Sequence, residues 1–307
     1  MPKKLPLQRA LAVSLGRLEK PVITAYELGV LIYGFYVRKA FSDQELALSK
    51  SEPTAREYSS ATGNLLASAV LEVARDFPHE SVFEILGRST APAAEIACAV
   101  DPFCYVSHIN AMAFHGITDR MPRTLHLSSP PPNAWTKFAG ERMQKDLGHY
   151  FERFADRGFP RLTRIQFTKI RGQQVERHHS SHLGAYRSIQ GKSLRVATIG
   201  RTFLDMLRDP EYCGGINHVL DVFQRSAKQN LRLIVTELDT HGRPIDKVRA
   251  GYIVMERCGL RDPTVESWVK YAQRGGSRKL DPNSEYSPDF SERWCLSLNV
   301  PQPREAS

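Results

Sequence analysis

The chain has 307 residues, a hydrophobic content of 41% and a formal charge of +9 at pH 7, with a pI near 9.4. That length fits two or three domains better than one, the composition fills ordinary cores, and the charge makes a polyanionic partner worth seeking. No apolar run approaches the roughly eighteen residues that span a bilayer, and five cysteines (Cys98, Cys104, Cys213, Cys258, Cys295) without a C-x-x-C pair point to a reduced, cytoplasmic protein rather than a secreted disulfide scaffold.

The first twenty residues imitate a secretory signal, with lysines ahead of an apolar run. Gln8 and Arg9 interrupt that run and Arg17 and Glu19 follow it, so an amphipathic helix with the stripe Leu7, Leu11, Leu15, Leu18 fits better. A second helix carries Leu28, Leu31, Ile32 and Phe35. Three capping-box patterns, Thr24–Glu27, Ser42–Glu45 and Thr54–Glu57, predict consecutive short helices. The apolar runs Val70–Ala74 and Val82–Leu86 flank Pro78 and polar residues, the pattern of a β-hairpin. Helices followed by a hairpin are the order of a winged helix-turn-helix, here residues 1–90. The helix from about Thr54 to Ser68 is then the recognition helix, with Thr54, Arg56, Tyr58, Ser59, Ser60 and Asn64 offered to DNA, and Arg75 and His79 on the wing. Charge argues the other way. Up to residue 92, eleven Lys and Arg meet ten acids, a weak excess for a stand-alone DNA binder, and a helical scaffold fits the same pattern.

Residues 91–307 read as a second, mixed α+β domain. Ala91–Val100 is a candidate helix, Ser107 caps a helix that ends at Gly116, and Arg123–Ser129 alternates as a strand. The prolines of "SSPPPNAW" (Ser128–Trp135) predict a stiff extended connector. "RLTRIQFTKI" (Arg161–Ile170) alternates strongly and predicts a strand, as does Leu194–Gly200. Helices are expected at Arg201–Arg208, Ile216–Ser226, Leu231–Asp239, Ile245–Cys258 and Thr264–Ala272, with a closing strand at Arg293–Asn299. Strands among helices without regular βαβ alternation indicate α+β.

Residues able to carry chemistry are sparse. His108 and His115 share a helix face but sit about 10 Å apart, too far to share a metal whose nitrogens lie about 2 Å away. They read as structural, His115 suiting a helix C-terminus. Glu176, His178 and His182 in "ERHHSSH" are the better metal candidate, and they are what a metal-dependent nuclease would use. Their setting is polar and strand-like and lacks H-E-x-x-H, so a solvent-facing loop explains them and no metal or cofactor is assigned. No phosphate loop and no G-x-S-x-G elbow occurs. Gly275 and Gly276 among Arg274, Arg278 and Lys279 read as a surface turn. No carboxylate pair stands out, so no catalytic residue is assigned. The charge itself is concentrated: between Arg153 and Arg195 ten basic residues meet only Asp156 and Glu176. Arg161, Arg164, Lys169, Arg171, Arg177 and Arg187 are expected to form a basic face for DNA backbone, RNA or an acidic protein, or else a solvated face.

Four stretches in order carry a family resemblance. "YVSHINAMAFHGITDRMPRTLHLS" (Tyr105–Ser128), "LRVATIGRTFLDMLRDPEYCGGINHVLDVF" (Leu194–Phe223), "RAGYIVMERCG" (Arg249–Gly259) and "KLDP…RWCLSLNV" (Lys279–Val300) together resemble AbiEi-type antitoxins of bacterial type IV toxin–antitoxin systems. Gly200 departs from that pattern, which often has Glu there, and the loop from Gln173 to Ser193 matches no part of it. The resemblance implies an N-terminal winged helix-turn-helix and a C-terminal antitoxin domain. It implies binding to double-stranded DNA at inverted repeats in the protein's own promoter, and neutralisation of an AbiEii-type nucleotidyltransferase toxin without a stable complex. From the residues themselves, no enzymatic activity and no membrane partner are expected. The alternative is a stand-alone regulator whose C-terminal domain senses a ligand or partner.

Overall fold

Strand β1 (Leu5–Pro6) leads directly into helix α1 (Leu7–Arg17), which buries Ala10, Leu11 and Leu15, in a computed structural model that describes residues 4–48, 50–88, 90–182, 184–273 and 278–300. After β2 (Val22–Thr24), Thr24 opens α2 (Ala25–Arg38) through the expected capping box: its hydroxyl accepts the Glu27 N–H at 3.2 Å and its own N–H donates to the Glu27 carboxylate. The helix expected at Ser42 is instead a hairpin of β3 (Ala40–Phe41) and β4 (Gln44–Ala47), with Ser42 in its turn at φ 51°. A capping-box pattern with no helical apolar run behind it does not nucleate a helix, and Leu46 is the single buried residue of β4. Strand β4 also pairs in parallel with β1. Helix α3 (Ala55–Ala67) follows, then the expected hairpin of β5 (Leu71–Val73) and β6 (Val82–Ile85). Strand β6 pairs with β2 on its other edge, giving an antiparallel sheet in the order β2-β6-β5. Helix α4 (Ala93–Val100) completes this segment.

Next come β7 (Tyr105–Val106), α5 (His108–Phe114) and β8 (Thr124–Ser129). The proline run is not an extended connector. Pro131 is the N-cap and Pro132 the first residue of helix α6 (Pro132–Leu147), where a fixed φ and a missing N–H cost nothing. Helix α7 (Phe151–Asp156) follows. The strand expected at 161–170 is irregular until β9 (Lys169–Ile170), which turns at Arg171–Gly172 into β10 (Gln173–His179). Its buried residues Leu162, Phe167 and Ile170 are spaced five and three apart, which breaks a period of two. After β11 (Tyr186–Ser188) and β12 (Arg195–Ala197) come α8 (Ile199–Arg208) and α9 (Ile216–His241). The two helices expected within 216–239 are one, because Ala227–Asn230 contains neither Gly nor Pro and Ala227 is buried. Helix α10 (Pro244–Gly251) continues as a π-helical turn to Arg257, α11 (Pro263–Ser267) closes in a 3-10 turn, and β13 (Phe290–Ser291) pairs with β14 (Leu296–Ser297). The fold is mixed α+β.

The chain forms two compact units, and neither is continuous in sequence. One comprises Met1–Cys104, Ser129–Ser181 and Ser188–Arg195; the other comprises Tyr105–Ser128, His182–Arg187 and Val196–Ser307. A single cut at residue 90 is therefore not where the units divide. The reason lies in the first unit's core, where Leu11, Leu28, Ile32 and Leu65 pack with Trp135, Met143, Phe154 and Phe159. The Tyr33 ring meets Phe154 and Phe159 edge-on at 5.4 and 5.3 Å, contacts worth about 0.5–1.5 kcal/mol each beyond burial. Gly29, in mid-helix, lets this segment approach: a Cβ there would lie 3.3 Å from Phe154 and Pro160. Residues 1–90 alone would lose this half of their core.

A buried polar hub fastens the same unit. The Asp101 carboxylate, 3% exposed, accepts from the Phe103 N–H at 3.0 Å, Trp135 Nε1 at 2.9 Å and Ser129 Oγ at 3.2 Å, with the Arg177 guanidinium 4.0 Å away. The Arg195 guanidinium donates to the carbonyls of Cys98, Cys104 and Asp101 at 2.6–2.7 Å. These bonds satisfy the open C-terminus of α4 and the buried Asp101 carboxylate together.

The second unit has its own core around Phe203 of α8 and Phe223 of α9, 4.8 Å apart edge-to-face, with Trp268 and Trp294 fully buried. Gly200 gains a reason here: a Cβ would sit 2.4 Å from the Leu233 carbonyl oxygen of α9. Strand β7 pairs with β8 antiparallel and with β12 in parallel.

Asp101→Ala is expected to lower unfolding free energy by about 3 kcal/mol or more, since it leaves the inward-turned Arg177 and the Trp135 N–H without their carboxylate. Urea unfolding of the variant against wild type measures this, and a change within about 0.5 kcal/mol contradicts the hub's role.

Candidate nucleic-acid interface

Helix α3 has two faces. Ala61, Thr62 and Leu65 are buried, while Ala55, Arg56, Ser59, Ser60, Gly63, Asn64 and Ala67 are exposed. The exposed positions recur at helical spacing, so they form one continuous face. That face holds one cation, short hydroxyls, an amide and small residues, and no carboxylate. The helix's single acid, Glu57, is turned away to its N-terminus, where it accepts from Thr54 and pairs with Lys50 at 2.7 Å. These bonds hold its carboxyl down at about 2, the hydrogen bond from Lys50 contributing most.

Of the six residues expected on this face, Arg56, Ser59, Ser60 and Asn64 are exposed. Thr54 is the half-buried N-cap. Tyr58 is a correction: it points inward, its ring edge-on to Phe159 at 5.9 Å, and burial pushes its hydroxyl up to about 12. Position 58 lies between the two faces, and the neighbouring sequence gives no hint that Phe159 packs there. Gln8 of α1 flanks the face, donating to the Asn64 carbonyl at 2.8 Å and to Ser68 Oγ at 3.0 Å.

Arg75 and His79 are both exposed in the β5–β6 turn, as expected. Among the described residues, neither Arg56 nor Arg75 has an ion pair, which leaves both free to meet an anion. The turn itself is anchored. Phe77 packs edge-on against Phe167 at 5.5 Å, and the Asp76 carboxylate accepts the Arg171 N–H at 2.8 Å.

The basic set does not form one face. Arg161 and Lys169 are exposed. Arg171 leans on Glu84 at 3.4 Å. Arg177 is turned inward, stacked over Phe167 at 4.6 Å and beside Asp101, and Arg164 is half-buried, with burial and Arg177 lowering its pKa. Arg187 belongs to the other unit, over the Phe114 ring. Charge counting along the sequence cannot distinguish an inward guanidinium from an outward one. The same stretch also lines a cleft of about 650 Å³, with Trp135, Met143, Phe151, Arg161, Leu162 and Arg164 on its walls.

His108 and His115, expected to be structural, are each held by neighbouring groups of the second unit. His108 is 2% exposed with φ 52°, shares a 2.8 Å hydrogen bond with Ser107 Oγ, and lies 3.7 Å from Asp209. Ser107 occupies the N-cap position of α5, yet its hydroxyl serves His108 and makes no cap bond. His115 Nε2 bonds the Ala197 carbonyl at 2.8 Å, and burial lowers its pKa, so it donates as a neutral ring. Burial holds His126 down at about 4. Glu176 and His178 lie half-buried on β10 in the first unit. His182, in the second unit, lies with Glu237 and His241 of α9, two residues the sequence reading did not single out. The signal was there as Glu and His four apart, masked by ending that helix at Asp239. Arg274, Gly275 and Gly276 lie outside the described residues. No described helix is long and apolar enough to cross a membrane.

No family model matches the chain, and no curated protein matches it. Among solved structures it is similar to the RV2827C protein from Mycobacterium tuberculosis, at 12% identity over 94% of this chain and 90% of that one, with a TM-score of 0.44. A likeness at that level does not establish a shared fold.

Glu57→Gln is expected to cost about 0.3–1 kcal/mol at pH 7, because Gln keeps the acceptor of the capping box but loses the charge that Lys50 and the helix N-terminus favour. Because folding lowers the Glu57 pKa, its contribution is present above the unfolded value of 4.5 and fades as pH falls toward 2. Unfolding curves at several pH values should therefore converge for variant and wild type in acid, and parallel curves contradict the assignment.

Proposed function

We propose that this chain is a DNA-binding regulator of the antitoxin type, which represses its own operon and counteracts a nucleotidyltransferase toxin. The observation that carries the DNA half is the exposed face of α3, acid-free and polar, ending beside an unpaired Arg56. An ordinary solvated helix face carries interspersed Glu and Lys. A face of Arg, Ser, Asn and Gly suits close approach to phosphates and base edges instead. The order α1, β2, α2, α3, β5, β6, with the β3–β4 hairpin inserted between α2 and α3 and with β2, β6 and β5 in one antiparallel sheet, supports a winged helix-turn-helix in which α3 enters the major groove and Arg75 and His79 touch backbone. The antitoxin half rests on the ordered resemblance of Tyr105–Ser128, Leu194–Phe223, Arg249–Gly259 and Lys279–Val300 to AbiEi-type antitoxins. On this reading the protein works in the cytoplasm and protects a cell without a stable toxin complex.

A second reading, a regulator that senses a small anion, is favoured by Arg164. Its Nε is buried without a hydrogen-bond partner among the described residues, and the residue lines the cleft beside Trp135.

Full-length protein titrated by fluorescence anisotropy onto its own upstream duplex should bind it in preference to a scrambled duplex. Arg56→Ala and Asn64→Ala should each weaken that binding by about 1–3 kcal/mol. Equal binding to both duplexes contradicts sequence-specific repression. Growth rescue on co-expression with a neighbouring nucleotidyltransferase toxin tests the antitoxin half, and failure to rescue removes it while leaving the repressor half standing.

A further inference from the structure

We propose that His182, Glu237 and His241 bind one divalent transition-metal ion of the zinc type. The three residues lie in the second unit and owe nothing to the DNA-binding reading. Glu237 and His241 are four apart on α9, so both project from one face a single turn apart. His182 joins them from a separate segment. The nearest donor atoms of the three all lie within 4.8 Å of one another, and the two imidazole rings are 3.4 Å apart.

The Glu237 carboxylate supplies an independent reason. Its Oε1 is buried and has no hydrogen-bond partner among the described residues. A buried carboxylate oxygen without a donor is costly, and a cation seated between it and two imidazoles removes that cost. Two arginines stand nearby, which would oppose a cation if they were uncompensated. Both have carboxylate partners: Arg201 pairs with Asp205 at 2.7 Å, and Arg208 pairs at 2.8 Å with Asp246, which it shares with Arg243. Arg208 also donates to the His241 carbonyl at 3.0 Å and so fixes the end of α9 that carries the site. Glu237 is left as the charge that a divalent ion would balance.

The donor set selects the metal class. Two imidazoles and one carboxylate suit zinc and its neighbours rather than calcium or magnesium, which prefer all-oxygen shells. Zinc holds such ligands about 2 Å from the ion. Bringing the three donors to that distance from one point needs small side-chain adjustments, with solvent completing a fourth position.

Full-length protein stripped with a chelator and titrated with Zn²⁺ by calorimetry is expected to bind one ion per chain, and the ion should raise its melting temperature. Glu237→Gln and His241→Ala should each weaken binding by at least about 10-fold, whereas His178→Ala should leave it unchanged. Circular dichroism checks that each variant is folded, and Glu237→Gln keeps the test open if His241→Ala is not. With Co²⁺ in place of Zn²⁺, the visible spectrum should show nitrogen and oxygen ligation. No Zn²⁺ binding, undiminished binding in both site variants, loss on His178→Ala, or a thiolate charge-transfer band with Co²⁺ overturns the proposal.

Discussion

Burial of the Asp101 carboxylate is the constraint from which the first unit's organisation follows. A carboxylate 3% exposed has to be met by donors, and no neighbouring stretch of chain supplies enough of them. They come from Phe103, Ser129 and Trp135, with Arg177 close by, while Arg195 closes the carbonyl end of α4. Segments near residues 100, 130, 177 and 195 are thereby held together although the chain leaves the unit after Cys104 and again after Ser181. Core packing agrees, because Trp135, Phe154 and Phe159 fill the space beside α2 that α1 and α3 leave open.

This arrangement changes the electrostatic reading of the N-terminal segment. Residues 1–104 hold eleven Lys and Arg against twelve Asp and Glu, which is poor material for a polyanion-binding surface. Residues 129–181 belong to the same unit and add ten against five. Part of that surplus is spent inside, on Arg164 and Arg177. Arg161 and Lys169 face solvent, and Arg153 and Arg157 pair with Glu52 just ahead of α3. The acid that α3 does contain is occupied at its N-terminus. The helix therefore offers solvent an acid-free face in a unit whose net charge comes from a later part of the sequence.

Local signals were legible where one physical cause dominates. The capping boxes at Thr24 and Thr54, the hairpin at 71–85 and the apolar stripes of α1 and α2 follow from short-range chemistry. The errors share a different cause. The Ser42 box lacks an apolar run behind it, the prolines before Trp135 suit a helix start as well as an extended chain, and the alternation at 161–170 fails because burial there follows Phe77 and the core rather than a strand. For the candidate site, the exposed half of α3 could be read from helical spacing. The inward turn of Tyr58 could not, because Phe159 arrives from a hundred residues later. Nor could the meeting of His182 with α9, which depends on tertiary structure alone.

The most direct measurement is hydrogen–deuterium exchange of the full-length protein with and without its upstream duplex. The account predicts new protection centred on residues 55–67 of α3 and on the β5–β6 turn around Arg75 and His79. Protection that spares α3 and falls only on the segment around Arg161 and Lys169 would mean a basic surface without a recognition helix, and would contradict it.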